Sequence, residues 1–497
     1  MISAIPQSDH ALEETPLQRY ESIVKGGRLV IPFLGELRGD LGIREGRIVA
    51  IAEEIPASAG ESVIDARGMM VFPGAVDSHY HVGIYRPHPE DAESESRSSL
   101  VGGVTALISY FRTGQNYLGT TGPYREIFPR VLALSDGHFY TDYAYHLAIM
   151  DSVQLDEIEM LVDDFGIASF KFYMFYKGLN LASDSTAGSA YTMAENYDLG
   201  HLYRMMERIT AIAAQRRTAG RISLSLHCEN PEIIRVFIEE VKRHGPGGLA
   251  GYSRSRPPLS ERLSIHEAGV LADATGCPLN LLHLSSREAL QAAMEIRTRY
   301  PHLDIVCETT LHHLALTCDT AGGIKGKVNP PLRTRADAEF LWQGIHSGRV
   351  DTVASDHACC QELDKDEDDL WRSLPGFGGS ALLYPVLLSE GWHKRGIPPV
   401  RLAELAAANP ARHFGLYPRK GAIAIGADAD LALVDPRKTQ RVRAAALHSA
   451  QEYSPFEGME LTGWPVATIL RGQVQYKDGE VVGGKIGRYL KRPLPGE

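Results

Sequence analysis

Eight short apolar runs punctuate the middle of the chain, at 70–79, 103–110, 141–149, 168–174, 221–229, 277–286, 304–313 and 351–358. Stretches with helical spacing lie between them, among them 199–219, 231–243, 260–275 and 286–299. Strands buried on both faces read as near-continuous apolar segments, and strands alternating with helices call for parallel βαβ units. Eight such units close naturally into a (β/α)8 TIM-like barrel. An open doubly wound sheet is disfavoured, because no GxGxxG follows the first run.

The two ends follow a different rhythm. Residues 21–72 alternate β-branched runs with Gly-containing turns, and GADADLALVDP and TILRGQVQYKDGEVVGG repeat the style near the other end. Together they predict a small β-sandwich domain assembled from both chain ends. The expected division is 1–72 and 418–483 for the sandwich, 73–417 for the barrel and 484–497 for a basic, Pro-containing arm. That arm is expected on the surface, where it could pack on a neighbouring subunit.

Composition removes several classes of function. With 51 basic and 62 acidic residues the 497-residue chain carries a formal charge of −11, which argues against nucleic acid as a partner. A hydrophobic fraction of 44% is that of a folded globular protein. No run of about 18 apolar residues offers a membrane span, and the N-terminus lacks the basic-then-apolar pattern of a secretory signal. The six cysteines show no CxxC spacing, so they read as reduced thiols in a cytoplasmic protein.

Nearly every apolar run ends in a side chain that can bind a metal or move a proton: His79 and His81, His146, Lys171, His227, His283, His312 and His313, then Asp356 and His357. In a barrel these C-terminal strand ends form the active-site mouth. A single strand-end histidine is as readily a satisfied buried imidazole, but the set as a whole argues against coincidence. His79 and His81 are two apart and share one face of a strand, a geometry that suits zinc or another divalent ion. With His227, His283 and Asp356 they make four imidazoles and one carboxylate, more than one tetrahedral zinc requires. Lys171 does not fit this picture as a cation, since a metal site repels it.

The ordered series FPGAVDSHYH, SFKFYMFYKG, LHCENP, LLHLSS, KVNPPLR and VASDHA resembles the cyclic-amidase branch of the amidohydrolase superfamily, the hydantoinases and dihydropyrimidinases. The closing stretch NPARHFGLYPRKGAIAIGADADLALVDP extends the resemblance over nearly the whole chain. It implies two divalent metal ions, usually zinc, with His79, His81 and Asp356 on the first and His227 and His283 on the second. Lys171, carboxylated by carbon dioxide to a carbamate, would bridge both, which resolves the problem of its charge. A metal-bridging hydroxide would attack a ring amide carbonyl of a small cyclic amide, hydantoin, dihydropyrimidine or related imide. Asp356 would shuttle the proton, and Tyr176 would stabilise the oxyanion. Family members contact the substrate's amide edge through the backbone of a serine before Pro-Pro, where this chain has Asn329, and of an Asn-Gly segment after the eighth strand, where it has GFGGS with Gly378. Relatives of this kind are commonly homo-oligomers, dimers or tetramers.

Rival readings remain. Dihydroorotases typically place an arginine two residues after the second histidine, where this chain has Gly83, and Arg86 lies too far along to be assumed equivalent. Allantoinase shares the ligands in outline and is not excluded by them. A non-catalytic dihydropyrimidinase-related scaffold is disfavoured by retention of all six ligand candidates. Specificity is expected in the long loops 109–126 and 177–198. In the first, Arg112 is expected in a structural ion pair, with an acidic substrate group as the alternative. The acidic run 362–369 is expected to be a solvated loop.

Overall fold

The computed structural model describes residues 19–176, 197–216, 220–365 and 369–493. Five N-terminal strands come first: β1 (Tyr20–Ile31), β2 (Gly35–Arg44), β3 (Arg47–Ala52), β4 (Gly60–Asp65) and β5 (Met70–Pro73). Eight barrel strands follow: β6 (Ala75–Tyr80), β7 (Val104–Phe111), β8 (Asp142–Ala148), β9 (Ser169–Tyr173), β10 (Ser223–His227), β11 (Leu279–Leu281), β12 (Ile305–Thr310) and β13 (Thr352–Ala354). The chain returns through β14 (Leu431–Arg441), β15 (Glu460–Leu470), β16 (Gln473–Lys477) and β17 (Glu480–Val481).

The barrel strands pair in parallel and in sequence order from β6 to β13. The ring closes through the His81 amide, which donates to the His357 carbonyl at 2.8 Å, and through Tyr80 stacked on His357 with ring centres 4.4 Å apart. Every residue of these strands is buried, which is why they read as unbroken apolar runs. Helices Leu199–Gln215, Pro231–His244, Pro258–Thr275 and Arg287–Arg299 occupy the expected intervening stretches.

The end strands form one nine-stranded sheet, ordered β17-β16-β15-β14-β5-β1-β2-β3, with β4 paired to β1. Ile48 of β3 and Ile469 of β15 share one apolar cluster, so the sheet curls back on itself to enclose a core of its own. The first apolar run is therefore divided: Met70–Pro73 belongs to this sheet and Ala75–Tyr80 opens the barrel. Gly74 marks the crossing, its amide donating to Asp430 at 2.7 Å. A Cβ there would stand 2.2 Å from the Thr105 hydroxyl, too close for any side chain.

The C-terminal arm lies at the surface only in part, with Gly484, Lys485, Arg488 and Lys491 exposed and Leu490 and Arg492 buried. It runs back beneath the barrel of its own chain, pairing Tyr489 with Tyr143 and burying Arg492 to 3% exposure. Its partners there are largely backbone carbonyls, which leave no trace in a sequence.

Candidate metal centre

Five strand ends bring the predicted ligands together. His79, on β6, and His81, one residue beyond it, place their Nε2 atoms 3.1 and 3.2 Å from the same Asp356 oxygen. Across the site His283 Nε2 sits 2.9 Å from His227 Nδ1, and the rings of His283 and His79 are 5.3 Å apart. Lys171 of β9 is fully buried, and among the described residues its Nζ has no hydrogen-bond partner. It lies 4.5 Å from the centre of the Tyr110 ring and 4.8 Å from that of Tyr173. Tyr110 also meets His79, at 4.6 Å, so lysine and histidine share one aromatic floor.

The local sequence explains the placement. Side chains alternate along a strand, so His79 and His81 point the same way. His227 and His283 each stand three residues before a helix cap, Asn230 and Ser286, whose side chains accept from the Ile233 and Ala289 amides. Each histidine is thus pinned between a strand end and a capped helix. His283 and Asp356 also hold left-handed backbone, at φ 37° and 50°. Such conformations cost roughly 1–3 kcal/mol each and cluster at functional sites.

Neighbouring groups orient the imidazoles. His79 Nδ1 is 2.7 Å from Glu308 Oε1, His81 Nδ1 is 2.8 Å from the Tyr117 hydroxyl, and His227 Nε2 is 2.6 Å from Glu229. Glu229 is itself held by Arg256 at 2.7 Å. Three rings thus have one nitrogen tied down and the other turned toward Asp356 or another imidazole, the arrangement expected of metal ligands. Sequence reasoning missed Glu308, Glu229 and Tyr117. Glu308 did carry a signal, as a carboxylate directly after the apolar Ile305–Cys307 of a strand-like run.

Without a cation the electrostatics leave three of the four imidazoles neutral and put a proton on His79, the one a metal would displace. Burial opposes charge on His79, but Asp356 and Glu308 on either side outweigh it and raise its pKa to about 9. Burial lowers His81 and His227 to about 4 and His283 further, keeping these three neutral. Burial would raise Asp356, yet His79 and His81 hold it well below the usual carboxylate range. Burial also lowers Lys171 to about 7, which makes its neutral amine accessible at physiological pH. An orphaned buried amine, converging imidazole nitrogens and an ionised carboxylate fit divalent cations better than protons.

Three of the four other strand-end histidines are held by hydrogen bonds of their own. His146 bridges Ser169 and the Ser78 carbonyl, and His313 bridges Thr310 and the Pro330 carbonyl. His357 accepts from the Gly379 and Ser380 amides and donates to Glu95. His312 is packed between His313 and Phe377.

A cleft of about 110 Å³ opens above the site, lined by His81, Arg112, Tyr117, Tyr176, Asn329 and Asp356 among others. Tyr176 stacks on Tyr173 at 4.7 Å, and the Asn329 side chain is turned to Tyr252, which donates to it at 2.6 Å. Arg112 is buried, with its guanidinium against the rings of Tyr117 and Tyr176. Gly378 donates its amide to Gln451 and packs against His357, and Gly376, two residues earlier, lines the cleft. The acidic run is corrected in part, since Lys365 within it is buried and donates to the Leu374 and Gly376 carbonyls, bracing that wall. Most of loop 177–198 lies outside the described residues.

The sequence model of the amidohydrolase family matches residues 290–475. An allantoinase from Rubrobacter xylanophilus is 34% identical over 96% of this chain and 98% of its own length. A D-hydantoinase from Ralstonia pickettii is 29% identical over 95% and 98%. Among solved structures, the L-hydantoinase (dihydropyrimidinase) of Arthrobacter aurescens superposes with a TM-score of 0.83 at 29% identity, covering 95% of this chain and 99% of that one.

Proposed function

The chain belongs to the amidohydrolase family, and we propose that it is a metal-dependent hydrolase that opens a cyclic amide ring of the hydantoin or dihydropyrimidine type. The observation that carries this reading is the convergence of His79, His81 and Asp356 beside the His227–His283 pair, with the orphaned amine of Lys171 buried among them. We assign His79, His81 and Asp356 to one divalent cation, His227 and His283 to a second, and a carbamate on Lys171 to both, with zinc as the metal. The bound cations would supply Lewis acidity to the ring carbonyl and a water acidified toward neutral pH.

The chain's own residues do the rest. Asp356, ionised and facing the cleft, accepts the proton released on attack and returns it to the leaving ring nitrogen. The Tyr176 hydroxyl, at the cleft wall, donates to the oxyanion as the carbonyl becomes tetrahedral. Asn329 flanks the ring's amide edge through its backbone, its side chain being occupied by Tyr252. The ring opens to a carboxylate and an amide or ureido group.

Allantoin is the second substrate reading, favoured by relatives of that name at 34% and 33% identity. Dihydroorotate is disfavoured. Gly83 donates its amide to Asp91 at 2.7 Å, and Arg86 is engaged by Asp91 and Ser94. A non-catalytic scaffold has no use for six convergent donors. Among the described residues no helix is long and apolar enough to cross a membrane. A cytoplasmic location, supported by the free state of the cysteines, and assembly as a dimer or tetramer complete the proposal. A panel of hydantoin, dihydrouracil, allantoin, dihydroorotate and simple cyclic imides, scored for ring opening by the zinc-loaded protein, tests it. Turnover of a hydantoin, dihydropyrimidine or allantoin is the expected result, and turnover of none would overturn it.

A further inference from the structure

We propose that the C-terminal arm is a working part of the barrel wall, with Arg492 as a positioning residue for the strands that carry Lys171 and His79. The inference rests on the reading of the site as a metal centre.

The ladder between β8 and β9 runs through Leu147–Phe170 and Ala148–Lys171, whereas that between β7 and β8 extends from Ala106–Asp142 to Phe111–Leu147. Beneath the short ladder the arm takes the place of strand pairing. On one side Leu490 donates to the Tyr143 carbonyl at 2.8 Å and Tyr143 donates to that of Arg488 at 3.0 Å. On the other, the Arg492 amide donates to Gly166 at 3.1 Å and the Tyr489 hydroxyl to Phe165 at 2.7 Å. Gly166, at φ 67°, lets the arm approach, since a Cβ there would stand 2.7 Å from the Arg492 nitrogen.

The Arg492 side chain then reaches inward. One guanidinium nitrogen donates to the Tyr145 carbonyl on β8 and another to the Ser169 hydroxyl on β9, at 2.8 Å. Ser169 donates to His146 Nδ1, and His146 Nε2 donates to the Ser78 carbonyl at 3.0 Å. This directional chain ends on the peptide joining Ser78 to His79. Ser169 is also two residues before Lys171, on the same face of β9. Burial without a carboxylate among these acceptors is costly for an arginine, so a purely structural tie would be served more cheaply by an apolar side chain. The contacts made here place the cation where it clamps β8 to β9 and fixes the tautomer of His146.

The test compares zinc-loaded wild type, Arg492→Met, Ser169→Ala and the exposed-arm control Arg488→Ala. Three readouts are taken: zinc release to a chromogenic chelator, kcat and KM, and thermal melting of the metal-free form. We expect Arg492→Met and Ser169→Ala to release zinc about 10-fold faster, the lower end of what outer partners of metal ligands contribute. Their kcat falls with KM unchanged, and Arg488→Ala matches wild type. Folded Arg492→Met with wild-type zinc release and kcat, even with lowered melting temperature, overturns the proposal. If Arg492→Met does not fold, Ser169→Ala decides by the same two outcomes. A wild-type chain that retains no zinc contradicts the metal reading instead. Amide exchange around Ser169–Lys171 then decides the role of the arm: faster exchange in the variants supports it, and unchanged exchange refutes it.

Discussion

Glu308 Oε1 lies 2.7 Å from Nδ1 of His79, with both side chains almost wholly buried. This contact fixes which imidazole nitrogen is free to face Asp356 and makes the ring a stronger donor. Replacing Glu308 with Ala should weaken divalent-metal affinity by about 10–100-fold. Glu308→Gln, which keeps an acceptor without the charge, should fall between. Competition with a coloured chelator measures both. Unchanged affinity in Glu308→Ala would show that packing alone orients His79.

Lys171 has no hydrogen-bond partner among the described residues and is pushed down to about 7 by burial, so its neutral amine is available to add carbon dioxide. Lys171→Ala should lose ring-opening activity and metal, with partial recovery on adding short carboxylic acids that replace the carbamate oxygens. Wild-type turnover in Lys171→Ala would remove the carbamate from the mechanism.

Tyr176 stands at the cleft wall against Tyr173, with the Arg112 guanidinium 5.6 Å from its ring. Loss of one oxyanion donor typically lowers turnover by 10²–10³-fold. Tyr176→Phe should therefore reduce kcat by about 10²-fold or more and leave metal content unchanged. A kcat within a factor of two of wild type would reduce Tyr176 to packing.

The metal-free protein should lose stability as pH falls from about 6.5 toward 4. Burial depresses His81, His88, His227, His312 and His413 to about 4 and His146, His283 and His313 further. In that window the unfolded chain binds protons that the folded chain refuses, so stability rises with pH. Asp91, raised to about 7 by burial and by Glu95, opposes the trend, as do Asp77, Glu261 and Asp430, which burial also raises, but the eight histidines outnumber these four carboxyls. Raised His79 contributes stability that is complete below its unfolded value and lost only as pH climbs through about 9. Calorimetry of the apo form at pH 6.5 and 4.5 checks this, and a higher melting temperature at 4.5 would refute it.

The barrel was legible because its strands are buried on both faces, so eight apolar runs stand out, and because strand period places His79 beside His81. The ligands were separable from other residues only in part. His146, His313 and His357 end strands just as His227 and His283 do. Their partners, the Ser78 and Pro330 carbonyls and Glu95, come from elsewhere in the chain and cannot be seen from spacing. Gly376 and Gly378 stand two apart in a glycine-rich turn, and only its path shows that Gly376 faces the cleft. Arg492 sits in a basic tail that reads as solvated, yet its acceptors are a serine and backbone carbonyls with no sequence signature.

The most direct test of the central claim is stepwise metal removal and return. The protein is stripped with chelator, titrated with zinc, and assayed for ring opening of the best substrate in the panel at each step. The account predicts negligible turnover without metal and recovery that is complete only as the second equivalent per chain binds. Full turnover in the stripped protein would contradict it.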